Sequence, residues 1–158
     1  MTGRAEVSRL QAQLNATFER GKRLAAVGAD LETQSDFARY LCVLVSGFLE
    51  RAVTELILEH SRRYGGPTLQ RFVEANTRKF ANANCKKLKD TLGTFSPDWR
   101  TKLDTILVDE SKDAIDSVIG LRHLIAHGGS GGITYHRISE YYKRIQLVVD
   151  EIAHLCAP

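Results

Sequence analysis

Apolar residues recur with a helical period along nearly the whole chain. In the first segment Val7, Leu10, Leu14, Phe18 and Leu24 stand at spacings of three, four or close multiples, which predicts an amphipathic helix. A break around Gly28 and Asp30 follows. A long helix is then predicted from about Ser35 to Arg63, where Phe37, Leu41, Leu44, Val45, Phe48, Ala52 and Leu56 form a wide apolar stripe. Gly65-Gly66-Pro67 ends it, and Pro67 suits the first position of the next helix. Residues 67 to 92 read as one or two shorter, more polar helices. Ser96-Pro97-Asp98 is a helix start, with a hydroxyl cap, proline at the first position and an acid near the positive end. The helix begun there carries Trp99, Leu103, Ile106 and Leu107. Asp109 or Ser111 is expected to cap the next one, whose buried stripe is Ile115, Val118, Ile119, Ile125 and Ala126. Gly128 to Gly132 break the pattern, and a last helix over about 136–156 presents Ile138, Tyr142, Ile145, Val148, Val149 and Ile152. No segment alternates convincingly with the period of a strand. The expected architecture is an all-α antiparallel bundle of about five to seven helices, one domain over 1–158 with 1–28 as an N-terminal helical arm.

Composition narrows the class without naming a function. Hydrophobic residues at 43% and charged residues at 26% fit an ordinary globular domain with a real core. The three cysteines, Cys42, Cys85 and Cys156, are odd in number and form no C-x-x-C, so a disulfide framework is not expected and a reducing compartment is. LCVLVSGFL, the longest apolar stretch, is about half the length that spans a bilayer. The first residues lack the apolar core of a secretion signal, so the reading is cytoplasmic, with no membrane partner. The net charge is only +3, yet it is unevenly placed. Residues 62 to 102 hold ten Lys or Arg against three acids, which makes that segment +7 and the remainder −4. A run such as RKFANANCKKLK, with Arg78, Lys79, Lys86 and Lys87, is either a landing surface for nucleic acid phosphates or a solvated helix face.

The chemistry concentrates in LRHLIAHGG, residues 121 to 129. Arg122 lies three residues after Ile119 and seven after Ile115, on the apolar stripe. An unpaired guanidinium in a dry core is very costly. It must pair with an acid, or its face must line a cleft or another chain. His127, five residues on, would diverge by about 140° on a regular helix, but it directly precedes two glycines, where the helix must end. His123 shares the face of His127. One reading makes both histidines packing or capping residues at the negative end of the helix. A second takes H-x-x-x-H as a helical metal pair with Asp116 one heptad earlier, although no complete ligand set adjoins it.

A third reading comes from resemblance. Arg122-His-Leu-Ile-Ala-His127 followed by glycine resembles the R-x4-6-H motif of the HEPN superfamily. So does the order of features: a long apolar helix, a basic middle, the motif at a helix end, a Gly-rich loop and a Tyr-bearing final helix, ISEYYKRIQLVV. The arrangement over about 35–156 is most similar to the RiboL-PSP-type branch. The resemblance implies a metal-independent endoribonuclease, a toxin or antiviral defence effector, acting as a homodimer. RNA would be its substrate, an antitoxin or other regulatory protein a further partner, and no cofactor or metal would be needed. Arg122 and His127 would be the catalytic pair, with His123 in the variable polar position beside Arg122. One branch of the superfamily is controlled by modification of a tyrosine two residues after the motif histidine, where this chain has Gly129. The alternative is a non-catalytic HEPN-like module that dimerises or binds a nucleotide or protein.

The chemistry suits the residue types. Cleaving RNA without a metal uses the adjacent 2′-hydroxyl and leaves a cyclic phosphate. It needs a base, an acid and a cation for the developing charge. Imidazole serves either proton role, and guanidinium matches phosphate oxygens in two prongs. One histidine cannot be acid and base at once, whereas a two-fold dimer presents the pair twice. On the long helix Val43, Gly47, Glu50 and Thr54 make a strip of small residues with one acid. There Gly47 would let another helix approach, and Glu50 would either hold Arg122 by a charge-assisted bond or stand exposed. Tyr135 and Tyr141 would stack bases or pack, and Tyr142 is read as packing.

Overall fold

A tight turn at Val27–Asp30 folds the first two helices back on each other, and that hairpin is the frame for the rest. In a computed structural model, which describes residues 2–129 and 132–157, α1 spans Gly3–Ala26 and α2 spans Leu31–Tyr64. Gly28 takes φ +75°, a left-handed value that closes the first helix. Asp30 caps the second by accepting from the Thr33 N–H at 2.7 Å. α1 places Val7, Leu10, Leu14 and Phe18 in the same core as Leu41, Val45, Leu49, Val53 and Leu56 of α2.

Next come α3 (Pro67–Thr77), α4 (Cys85–Gly93), α5 (Pro97–Ile106), α6 (Asp109–Ala126) and α7 (Tyr135–Leu155), making seven helices and no strand among the described residues. The segment expected as one or two helices resolves into two, parted by residues 78–84. Ser96 caps α5 as expected, its Oγ accepting from the Asp98 N–H at 3.2 Å. α6 departs from expectation at both ends. Its N-cap is Val108, not Asp109 or Ser111, and Asp109 adopts φ +49° as the first helical residue. Fully buried Leu107 pins the chain before it. At the other end Ile115, Val118 and Ile119 are buried, but Ile125 is only half-buried and Ala126 is exposed. The last turn of α6 outruns the core, which is why polar chemistry can sit there.

α7 runs antiparallel to α1. Tyr142 stacks on Phe18 with ring centroids 4.7 Å apart, its hydroxyl donates to Asn15 at 2.8 Å, and the Tyr135 hydroxyl donates to the Phe18 carbonyl at 3.0 Å. Tyr142 and Tyr135 therefore pack, as a buried tyrosine does when its hydroxyl finds a partner. Arg137 lies over the ring of Tyr141. No described helix is long and apolar enough to cross a membrane. Ser130 and Gly131 of the glycine-rich break lie outside the described residues.

Ile115 has no exposed surface and joins α6 to the core. Ile115→Ala is expected to lower the free energy of unfolding by about 2–5 kcal/mol, through lost transfer energy and a cavity. Urea denaturation followed by circular dichroism checks it.

Candidate functional site

The end of α6 is built by its glycines. His127 is the C-cap, Gly128 follows at φ +78°, and the Gly129 N–H reaches back to the Leu124 carbonyl at 2.9 Å while the Gly128 N–H bonds to Ile125 at 3.1 Å. This paired closure satisfies helix-end carbonyls and requires a left-handed residue just after the cap. Gly129 sits so close that an added Cβ would stand 2.5 Å from Leu124 Cδ1. The His127 N–H still donates to the His123 carbonyl at 3.2 Å, so the two histidines keep their i,i+4 relation: their rings meet edge to face, with centroids 4.4 Å apart, and both residues are exposed.

Arg122 is half-buried and enters no ion pair among the described residues. Its Nη1 donates instead to the Asn82 side-chain carbonyl at 3.4 Å. Glu50 does not bind the guanidinium directly, as its place on α2 suggested. Its Oε1 accepts from the backbone N–H of Asn82 at 2.8 Å. Glu50 fixes the loop that carries Asn82, and Asn82 touches Arg122. Asn82 holds φ +56°, a left-handed conformation asparagine tolerates better than most residues. Buried Ala83 anchors the same loop, and Asn84 caps α4 through the Lys87 N–H at 2.9 Å. The signal missed in the sequence was ANAN, 81–84, whose two asparagines serve as a left-handed turn residue and a helix cap.

A cleft of about 590 Å³ opens beside this helix end, lined by Asn82, Asn84, Lys86, Lys89, Arg100, Lys112, Gly120 and His123 together with Cys85, Asp116 and Ile119. The basic residues singled out in the sequence thus divide. Lys86 faces the cleft with His123, Lys87 sits over the Phe80 ring on another face of α4, and Lys79 lines a groove with Phe80. Arg78 is the exposed C-cap residue of α3. Gly47 lines a groove with Leu10, Leu14 and Thr17 of α1, and a Cβ there would meet nothing within 4 Å among the described residues.

The other reactive-looking groups near the cleft are committed elsewhere. Asp116 accepts from the Cys85 N–H at 2.9 Å and from Lys112 at 2.7 Å. Burial pushes its carboxyl up, but these two donors outweigh burial and hold it below the usual carboxylate range. The Cys85 thiol is pushed up to about 12, first by burial and then by the Asp116 charge, so it is no thiolate nucleophile near neutrality. Among the described residues no three His, Cys, Asp or Glu side chains gather as a metal-ligand group. The arrangement offers two imidazoles, one guanidinium without a carboxylate partner and a cationic cleft beside them.

The seven-helix bundle with the Arg122–His127 helix end agrees with the HEPN-type arrangement that the sequence resembles. The family model described as RiboL-PSP-HEPN matches residues 5–157, so the chain belongs to that family. The match takes in α1 as well as the later helices. Neither the curated proteins nor the solved structures contain a significant match.

The lowered Asp116 carboxyl contributes stability above the ordinary carboxylate range, lost as pH falls through its depressed value. Asp116→Ala is expected to cost about 1 kcal/mol at neutral pH, kept small by partial exposure. The variant's stability should also fall less than the parent's on acidification, measured by urea midpoints from neutral pH downward. Glu50→Ala should speed amide hydrogen exchange at Asn82 while leaving the core amides of α2 protected.

Proposed function

We propose that this protein is a metal-independent endoribonuclease working as a two-fold dimer, in the role of a toxin or antiviral defence effector. The observation that carries the reading is Arg122: it enters no ion pair among the described residues, donates to the neutral Asn82 side-chain carbonyl, and shares the last turns of α6 with the exposed, touching rings of His123 and His127. Its contact with Asn82 is solvent-exposed and no carboxylate among the described residues occupies it, so its donors are available to a phosphate. Membership of a HEPN family supports the same conclusion at the level of an RNase-like or HEPN module.

In the proposed reaction an imidazole takes the proton of the 2′-hydroxyl as its oxygen bonds to phosphorus. The bond from phosphorus to the 5′-oxygen breaks, and a second imidazole returns a proton to that oxygen. The products are a 2′,3′-cyclic phosphate and a free 5′-hydroxyl. His127 of each copy supplies one proton role, and Arg122 neutralises the non-bridging oxygens as the phosphorane forms. His123 supports His127 through their ring contact. Exposed Leu124, between the two histidines in sequence, gives the second copy an apolar contact at the same turn.

Purified protein is expected to cleave mixed RNA in the presence of a chelator and to leave cyclic-phosphate ends. A 2′-deoxy substitution at the scissile position should block cleavage. Arg122→Ala and His127→Ala should each lower the rate at least about a hundredfold without changing the circular dichroism spectrum. Wild-type cleavage by either variant, or no cleavage by the parent at any RNA concentration, would leave the non-catalytic HEPN-like binding module as the function.

A further inference from the structure

Three depressions surround α4, and they share their walls. The cleft beside His123 shares Asn84 and Lys86 with a shallow trough over α4. That trough shares Lys87, Thr91 and Thr94 with a groove of about 450 Å³ between α3 and α4. The far groove differs in character from the cleft. Its walls include Phe72, Phe80 and Phe95 together with Lys79 and Lys87, and no carboxylate lines it. Phe72 is 65% exposed and Phe95 38% exposed. Exposed rings beside lysines give this groove both π-faces and positive charge.

The rings are prepared as flat faces. Phe95 is stacked on Trp99 at 5.7 Å between centroids and 25° between planes, and Trp99 in turn meets His60 at 4.8 Å. Phe80 carries Lys87 above it at 5.8 Å. Nearer the helix end the surface is cationic. Lys86 and Arg100 converge on the one carboxylate of Asp90, at 2.7 and 3.1 Å, which fixes both cations at the rim and leaves their combined charge in excess. Aromatic faces at one end and fixed cations at the other are what a single nucleic acid strand needs: its bases stack on any π-face, and its phosphates follow the positive charge.

We infer that α4 is a strand track: RNA that enters the reaction site at His123 continues across Lys86 and Lys87 and stacks an unpaired base in the Phe72/Phe95 groove. This rests on the ribonuclease reading for what happens at the α6 end, but binding in the groove does not require cleavage. The protein therefore favours single-stranded RNA that extends several nucleotides to one side of the scissile bond. Duplex RNA is disfavoured, because its bases are not free to stack.

The test uses the full chain and uncleavable 2′-O-methyl RNA, as a dinucleotide and as a strand of about a dozen nucleotides. Fluorescence anisotropy is expected to show the long strand binding far more tightly than the dinucleotide. Phe72→Ala, at a solvent-exposed position, should weaken long-strand binding about tenfold, the scale of one lost stacking contact. Phe72→Trp should restore it, and Phe72→Leu should not. Emission from Trp99, the only tryptophan, should change on binding the long strand in the parent protein. Lys86→Gln should reduce the slope of log affinity against log salt by about 0.7. Unchanged long-strand binding in Phe72→Ala, or full binding by Phe72→Leu, overturns the track. So does a groove that captures an acidic protein in a Phe72-dependent way while RNA binding stays indifferent to Phe72. The two readings separate cleanly. Cleavage of long and short RNA alike, indifferent to Phe72, removes the track and leaves the nuclease. Phe72-dependent binding by a protein that cleaves nothing removes the nuclease and leaves the track.

Discussion

Arg122 enters no ion pair among the described residues, and the loop beside it is held so that a neutral group meets its guanidinium. A guanidinium sealed from water draws a carboxylate to it, since the Coulombic gain must offset lost hydration, whereas the exposed Arg122 contact needs none. Here Glu50 of α2 is spent on the Asn82 backbone, and the neutral Asn82 side-chain carbonyl is what reaches the guanidinium. The result is a cation that is oriented yet not neutralised. Moving Glu50 onto Arg122 would make a more ordinary ion pair. The indirect linkage through a left-handed asparagine keeps the positional benefit of an acid without its charge at the point of contact.

The helix end completes the arrangement. α6 extends one turn beyond its packing partners, and the Gly128–Gly129 closure turns the backbone away at His127. The i,i+4 spacing, kept through the His127 N–H bond to the His123 carbonyl, sets the two rings against each other in the open, while Arg122 turns instead to Asn82. The groups most exposed to solvent are thus set by the most constrained backbone in the region. Around them, buried cysteines and a doubly engaged Asp116 remove the competing nucleophiles and ligands, so the chemistry left at the surface is imidazole, guanidinium and lysine.

Charge follows the same logic at longer range. The basic surplus of residues 62 to 102 is spread over the end of α2 (Arg62, Arg63), the loop after α3 (Arg78, Lys79) and the short helices α3 to α5, which supply little of the buried core. Several cations are held by acids one turn away, as in Lys86–Asp90 and Lys102–Asp98. Such exposed pairs contribute little to stability. Their effect is to fix where the cations stand, and Lys86, Lys89 and Arg100 are held around the cleft that reaches His123.

The sequence by itself determined the helical class, the long α2, the proline-opened helices and the helix end at His127-Gly-Gly. Each of these is a local matter: periodicity, capping chemistry and the left-handed freedom of glycine act within a turn or two of chain. It also marked Arg122 as a charge on an apolar stripe, because that conflict is visible at spacings of three and seven. What it could not reveal was the resolution of the conflict. The partner of Arg122 is forty residues away, at Asn82, and Glu50 is thirty-two residues from the N–H it holds. Nothing in the period of either segment encodes which loop will lie beside which helix. The sorting of Lys86 and Lys87 onto different faces of α4, with Lys79 in the loop before it, and the exposure of Ala126 where burial was expected, were likewise decided by packing. Local pattern fixes the elements, and only packing decides which of their side chains find one another.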